Sequence, residues 1–167
     1  MRRNENLTKM TTAGILLGFG LGGFIDKITF HQLLEWHIRG RAVIPTSTLA
    51  ALKLSLFWDG LIHALIWIVA ATGLAILWSA VRGPHPIPTR RYLSGTMILG
   101  WGLLNLTQGM INHYILGLQN VSEVPSSDPW NMGFLFIGGI AFTGFGWLMM
   151  RAGKRRFVPP RRKTLLG

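Results

Sequence analysis

Four apolar runs, each long enough to cross a bilayer as a single helix, constrain this chain more than any other feature. They are Thr12–Trp36, Leu54–Trp78, Tyr92–Leu116 and Asn131–Met150. A transmembrane helix takes roughly 20 apolar residues, and nothing in the pattern suggests a sheet. Composition agrees. Of 167 residues, 49% are hydrophobic and only 14% are charged, against about a quarter charged in a soluble domain. The expectation is an all-α integral membrane protein of one transmembrane domain, residues 1–150, followed by a basic tail, residues 151–167.

The connections set the order of the helices. Ile38–Thr48 is short and contains Pro45. GPHPIPTRR, residues 83–91, holds three prolines within five residues and breaks any helix there. Gln119–Trp130 is polar. Short connections make each helix antiparallel to its neighbour in sequence, as in an up-down four-helix bundle.

The net charge of +11 raises the question of a nucleic-acid partner, and its distribution answers against one. Thirteen of the 17 basic residues fall at the two termini and in the second loop, and only Lys27, Arg39, Arg41 and Lys53 lie towards the other side. The acids do the reverse: Asp26, Glu35, Asp59, Glu123 and Asp128 oppose a single Glu5. The positive-inside rule then places both termini in the cytoplasm and the chain in the plasma (inner) membrane as a multi-pass protein. The basic tail is expected to rest on anionic lipid. There is no cysteine, so neither disulfides nor thiolate metal sites enter. The start resembles a signal peptide but carries no convincing small-x-small cleavage site, and the apolar helix continues past it. It is therefore read as an uncleaved first span.

Helix one contains GILLGFGLGGFID, residues 14–26. Gly18, Gly20 and Gly23 match a dinucleotide fingerprint that needs a strand before it, and a strand is out of place in mid-membrane. Gly14, Gly18 and Gly22 instead form a small-xxx-small stripe for close helix packing. The next member of that stripe is Asp26, which is therefore expected to face the bundle. Gly95, Gly102 and Gly109 form a similar set on helix three at heptad spacing.

Ionisable residues inside a membrane are costly and mark candidate sites. On helix one, Asp26, His31, Glu35 and His37 lie in the outer half. On helix two, Asp59 and His63 follow Lys53 by about 9 and 15 Å, at 1.5 Å per residue. On helix three, Asn105, Gln108, Asn112 and His113 lie in the outer half again. Three helices thus place polar groups in one slab, while the inner halves hold almost none. Asp59 and His63, four residues apart, share a face that suits two ligands on one metal or a carboxylate orienting an imidazole. Plainer readings stand beside these. Asp59–His63 as a packing pair, Lys27 neutralising Asp26, His31 and His37 as interfacial residues, and Asn105, Gln108 and Asn112 as interhelical hydrogen-bond glue all fit the same residues.

The stretches GGFIDKITFHQLLEWH, WDGLIHA and GWGLLNLTQGMINHYILGLQNV together resemble a family of small predicted bacterial membrane proteins known as domain of unknown function 2243. The resemblance runs from about Gly14 to Arg151. The family pattern is rich in histidine, and this chain keeps Asp26, His31, Gln32, Trp36, His37, Asp59, His63, Asn105, Gly109 and His113. It departs with Lys27 for a glycine, Glu35 for a glutamine, Ile38 for a histidine and Gln108 for a glutamate. Tyr114, Gln119 and Asn120 each replace a histidine. The resemblance implies the fold and the membrane and carries no established activity.

Two functional expectations follow. In one, Asp26, His31, Asp59, His63 and His113 supply a nitrogen and oxygen site for a transition metal, zinc, iron or copper(II). Gln108 and Asn112 then bond to its ligands, and the role is either enzymatic or metal handling. In the other, the same residues form a buried hydrogen-bond network in a non-enzymatic structural or accessory subunit with a membrane-protein partner. The two differ in geometry: a metal needs at least three ligand atoms about 2 Å from one point, and a network pairs donors with acceptors at about 2.9 Å.

Overall fold

A computed structural model describes residues 2–29, 48–82, 89–111 and 128–154. Of the positions singled out above, His31, Glu35, His37, Asn112 and His113 lie outside the described residues, as do most of the three connections and the end of the tail.

Apart from the cap residues Thr48, Arg82 and Thr89, the described residues are helical, with no strand. Helix α1 is Arg2–Asp26 and runs on as a π-helical turn over residues 27–29. Helix α2 is Leu49–Val81 and α3 is Arg90–Gln108. The fourth rod begins as α4, Asp128–Phe134, passes through a π-helical segment, Leu135–Ala141, and continues as α5, Phe142–Lys154. Three of the four helices are long and apolar enough to cross a membrane over Glu5–Thr29, Leu49–Val81 and Met132–Lys154.

The helix ends follow local chemistry rather than hydropathy. Thr48 caps α2 by accepting from the Ala51 N–H at 3.2 Å, and Thr89 caps α3 by accepting from the Tyr92 N–H at 3.3 Å. These caps start α2 five residues before Leu54 and α3 two before Tyr92. Helix α1 begins ten residues ahead of Thr12, since its charged first turns are compatible with a helix that has left the lipid; Lys9 and Glu5 pair there at 3.6 Å.

The expected up-down order holds. Gly20 approaches Ala70 and Gly73 approaches Leu17, so α1 and α2 are antiparallel. Gly95 meets Met150, Gly102 meets Thr143 and Gly139 meets Leu106, so α3 and the fourth rod are antiparallel too. Helices α1 and α3 run parallel in direct contact, with Gly14 against Thr96 and Gly22 against Trp101. The extensive contacts are α2 with α1, α1 with α3, and α3 with the fourth rod. In space the helices therefore run α2, α1, α3, then α4 with α5.

The central contact needs glycine. A Cβ on Gly18 would collide with the main chain of Met97, and one on Gly100 with the main chain of Ile15. Lipid is as apolar as leucine, so close packing of this kind, rather than hydrophobic burial, holds membrane helices together. The outer helices show the complement. Leu56, Phe57, Trp67 and Ile68 on α2 and Ile137 and Leu148 on the fourth rod are all exposed. Helix α3, flanked on both sides, buries Thr96 and Asn105 instead.

Candidate functional site

Asp26 continues the glycine stripe of α1 and is buried against α3, as that stripe requires. Its partner there is one that sequence reasoning missed. The Trp101 indole N–H donates to both carboxylate oxygens of Asp26 at 3.3 Å. Trp101 in turn stands edge-on to Phe142, with ring centroids 5.2 Å apart. The available signal was spacing: Trp101 lies four residues before Asn105, on the face of α3 that carries the polar set.

Lys27 is adjacent to Asp26 in sequence but turns about 100° around the helix. Its ammonium reaches α2 and lies 3.4 Å from Asp59 Oδ1. The Lys27–Asp26 ion pair envisaged from sequence is thus replaced by a pair across α1 and α2. Lys27 is largely buried and Asp59 about half-exposed.

The expected carboxylate–imidazole contact between Asp59 and His63 is also replaced. His63 Nδ1 lies 2.7 Å from the main-chain carbonyl of Asp59. A carbonyl only accepts, so Nδ1 is the donor of this bond. The i, i+4 spacing brings the imidazole to the backbone, while the carboxylate is drawn to Lys27. His63 Nε2 is buried and has no hydrogen-bond partner among the described residues. The ring lies near Phe24 of α1, at 6.5 Å between centroids.

On α3, Asn105 is buried and its amide N–H donates to the Gly138 carbonyl at 3.1 Å. Gly138 lies in the π-helical segment, whose backbone pattern differs from that of an α-helix. Asn105 Oδ1 and Thr143 Oγ1 are buried without a partner among the described residues. Gln108 lies on the last turn of α3 and is partly buried.

These bonds run in series across the row of helices. Lys27–Asp59 joins α1 to α2, Trp101–Asp26 joins α3 to α1, and Asn105–Gly138 joins α3 to the fourth rod. Three of the expected metal ligands, Asp26, Asp59 and His63, fall in this layer, but the two carboxylates are engaged by different partners. Asp26 faces α3, Asp59 faces Lys27, and the two are separated by α1. Among the described residues no group of three His, Asp or Glu side chains converges on a point.

A family model described as a predicted membrane protein, DUF2243, matches residues 13–153, from the middle of α1 to the penultimate residue of α5. Neither the curated proteins nor the solved structures provide a match.

Proposed function

The chain belongs to the DUF2243 family of predicted membrane proteins, and from that premise we propose that it acts as a structural or accessory membrane protein. Its outer-half polar groups lock four helices into one register. A single observation carries this reading: three polar bonds, Lys27–Asp59, Trp101–Asp26 and Asn105–Gly138, join the four helices in their spatial order. Each pairs a donor with an acceptor, Asn105–Gly138 at 3.1 Å within the usual hydrogen-bond range and the other two just beyond it at 3.3–3.4 Å. In hydrocarbon such groups have no water to turn to, so they favour one helix arrangement over others. The conformation so held is the form a membrane partner would meet. Full-chain protein in detergent tests the reading through its metal content and its stability. A metal-free preparation that unfolds cooperatively and is weakened by Trp101→Phe supports it. Near-stoichiometric tightly held metal overturns it.

One observation favours a second reading, in which the layer holds zinc, iron or copper. His63 Nδ1 donates a hydrogen bond to a main-chain carbonyl, and its Nε2 is buried with no hydrogen-bond partner among the described residues. Metal-bound histidines have this arrangement, because the outer hydrogen bond fixes the tautomer and the ring. Here Asp26, His31, Asp59, His63 and His113 are the ligand candidates, with Gln108 and Asn112 as their hydrogen-bond partners. Asp26 and Asp59 would first have to leave Trp101 and Lys27. Elemental analysis of the purified protein, before and after His63→Ala, decides. Metal present in the parent and lost in the variant establishes the second reading, and no metal in either retires it.

A further inference from the structure

The two outermost helices end in the same device. On α2, Trp78 and Arg82 are four residues apart, and the guanidinium lies 4.6 Å from the indole centroid. On α5, Trp147 and Arg151 have the same spacing, and the guanidinium lies 3.9 Å from the ring. Helices α2 and α5 are each antiparallel to one of the two parallel central helices, so both devices emerge on one face of the molecule. Both indoles are open to the surroundings, Trp78 at 60% and Trp147 at 41%.

We propose that each Trp–Arg pair is a binding site for the phosphate of an anionic phospholipid. Stacking on an indole occupies the flat face of a guanidinium and leaves its N–H edge free. That edge is the part that forks onto two phosphate oxygens. The indole meanwhile suits the boundary between headgroups and acyl chains, where tryptophan gathers in membrane proteins. The electrostatics agree. Neither arginine has a carboxylate partner among the described residues, and the described acid on this face, Glu5, is paired with Lys9. Arg90, Arg91 and Lys154 add positive charge at the same face. A row of helices covered by lipid on both edges is thereby tied to headgroups at both edges. The inference concerns the opposite end of the molecule from the polar layer and stands whichever reading of that layer holds.

The test uses full-chain protein reconstituted in nanodiscs containing equal phosphatidylglycerol and phosphatidylcholine, then released and weighed by native mass spectrometry. The parent protein is expected to retain phosphatidylglycerol over phosphatidylcholine. The R82Q/R151Q variant is expected to lose that preference, by about five-fold for each arginine. K53Q, which removes one positive charge at the opposite end of α2, serves as the control for the loss of a single arginine and is expected to retain it. Equal retention of the two lipids by the parent, unchanged preference in R82Q/R151Q, or an equal loss in K53Q would each overturn the proposal.

Discussion

The Lys27 ammonium lies 3.4 Å from Asp59 Oδ1 on α2, while Asp26, its neighbour in sequence, turns the other way to the Trp101 indole on α3. Two consecutive residues thus bind α1 to both of its neighbours. A half-exposed pair contributes little when one partner reaches water, and interhelical polar bonds in membranes average about 0.6 kcal/mol. A double-mutant cycle of Lys27→Met and Asp59→Leu, followed by unfolding in mixed micelles, is therefore expected to give a coupling of about 0.5–1 kcal/mol. A coupling of zero would mean that the pair does not hold α1 to α2.

Trp101→Phe keeps the ring against Phe142 and removes the N–H that serves both oxygens of Asp26. A buried acceptor left without its donor costs about 1–3 kcal/mol. The variant should lose stability on that scale, and adding Asp26→Leu should restore part of it, since the orphaned carboxylate is then gone. If Asp26→Leu worsens Trp101→Phe additively, the carboxylate has another partner.

Glycine positions separate close packing from open lipid. Gly18→Ala would drive its Cβ into the Met97 main chain, where no side chain can swing aside, whereas Gly144 has open space around it. Overpacking of this kind costs about 1–3 kcal/mol or more. Gly144→Ala is expected to be neutral or to gain up to about 1 kcal/mol from helix propensity alone. Thermal melting of the two variants, followed by tryptophan fluorescence, distinguishes them, and equal melting temperatures would contradict the α1–α3 contact.

Much of this arrangement was legible in the amino-acid sequence, for physical reasons. The length of the apolar runs revealed four helices, and short connections made sequence neighbours antiparallel. The four-residue period of Gly14, Gly18 and Gly22 carried Asp26 to the buried face, where it lies. The order α2, α1, α3, α4 was not legible, because loop length says nothing of the contact between parallel helices. Trp101 went unnoticed as a partner of Asp26 because a tryptophan in an apolar helix reads as packing or as an interfacial anchor. The choice Lys27 makes for Asp59 depends on which side of α1 holds α2, and periodicity alone leaves that open. The π-helical segment gives no warning beyond Gly138 and Gly139, since no proline marks it.

His63 offers the sharpest contrast between the two readings of the polar layer. Its Nε2 is buried with no hydrogen-bond partner among the described residues, and its Nδ1 donates a hydrogen bond to a carbonyl on its own helix. If the layer is a network, the imidazole is one of its members left with an unpaired buried atom. An apolar side chain of similar size then removes an unpaired group at the loss of one local bond, an exchange that is nearly neutral or stabilising. His63→Leu is thus expected to leave stability unchanged or to raise it by up to about 1 kcal/mol in metal-free protein. A loss of several kcal/mol, reproduced in the parent by a strong chelator, would instead mean that Nε2 holds an ion, and that the layer is built to coordinate rather than to lock.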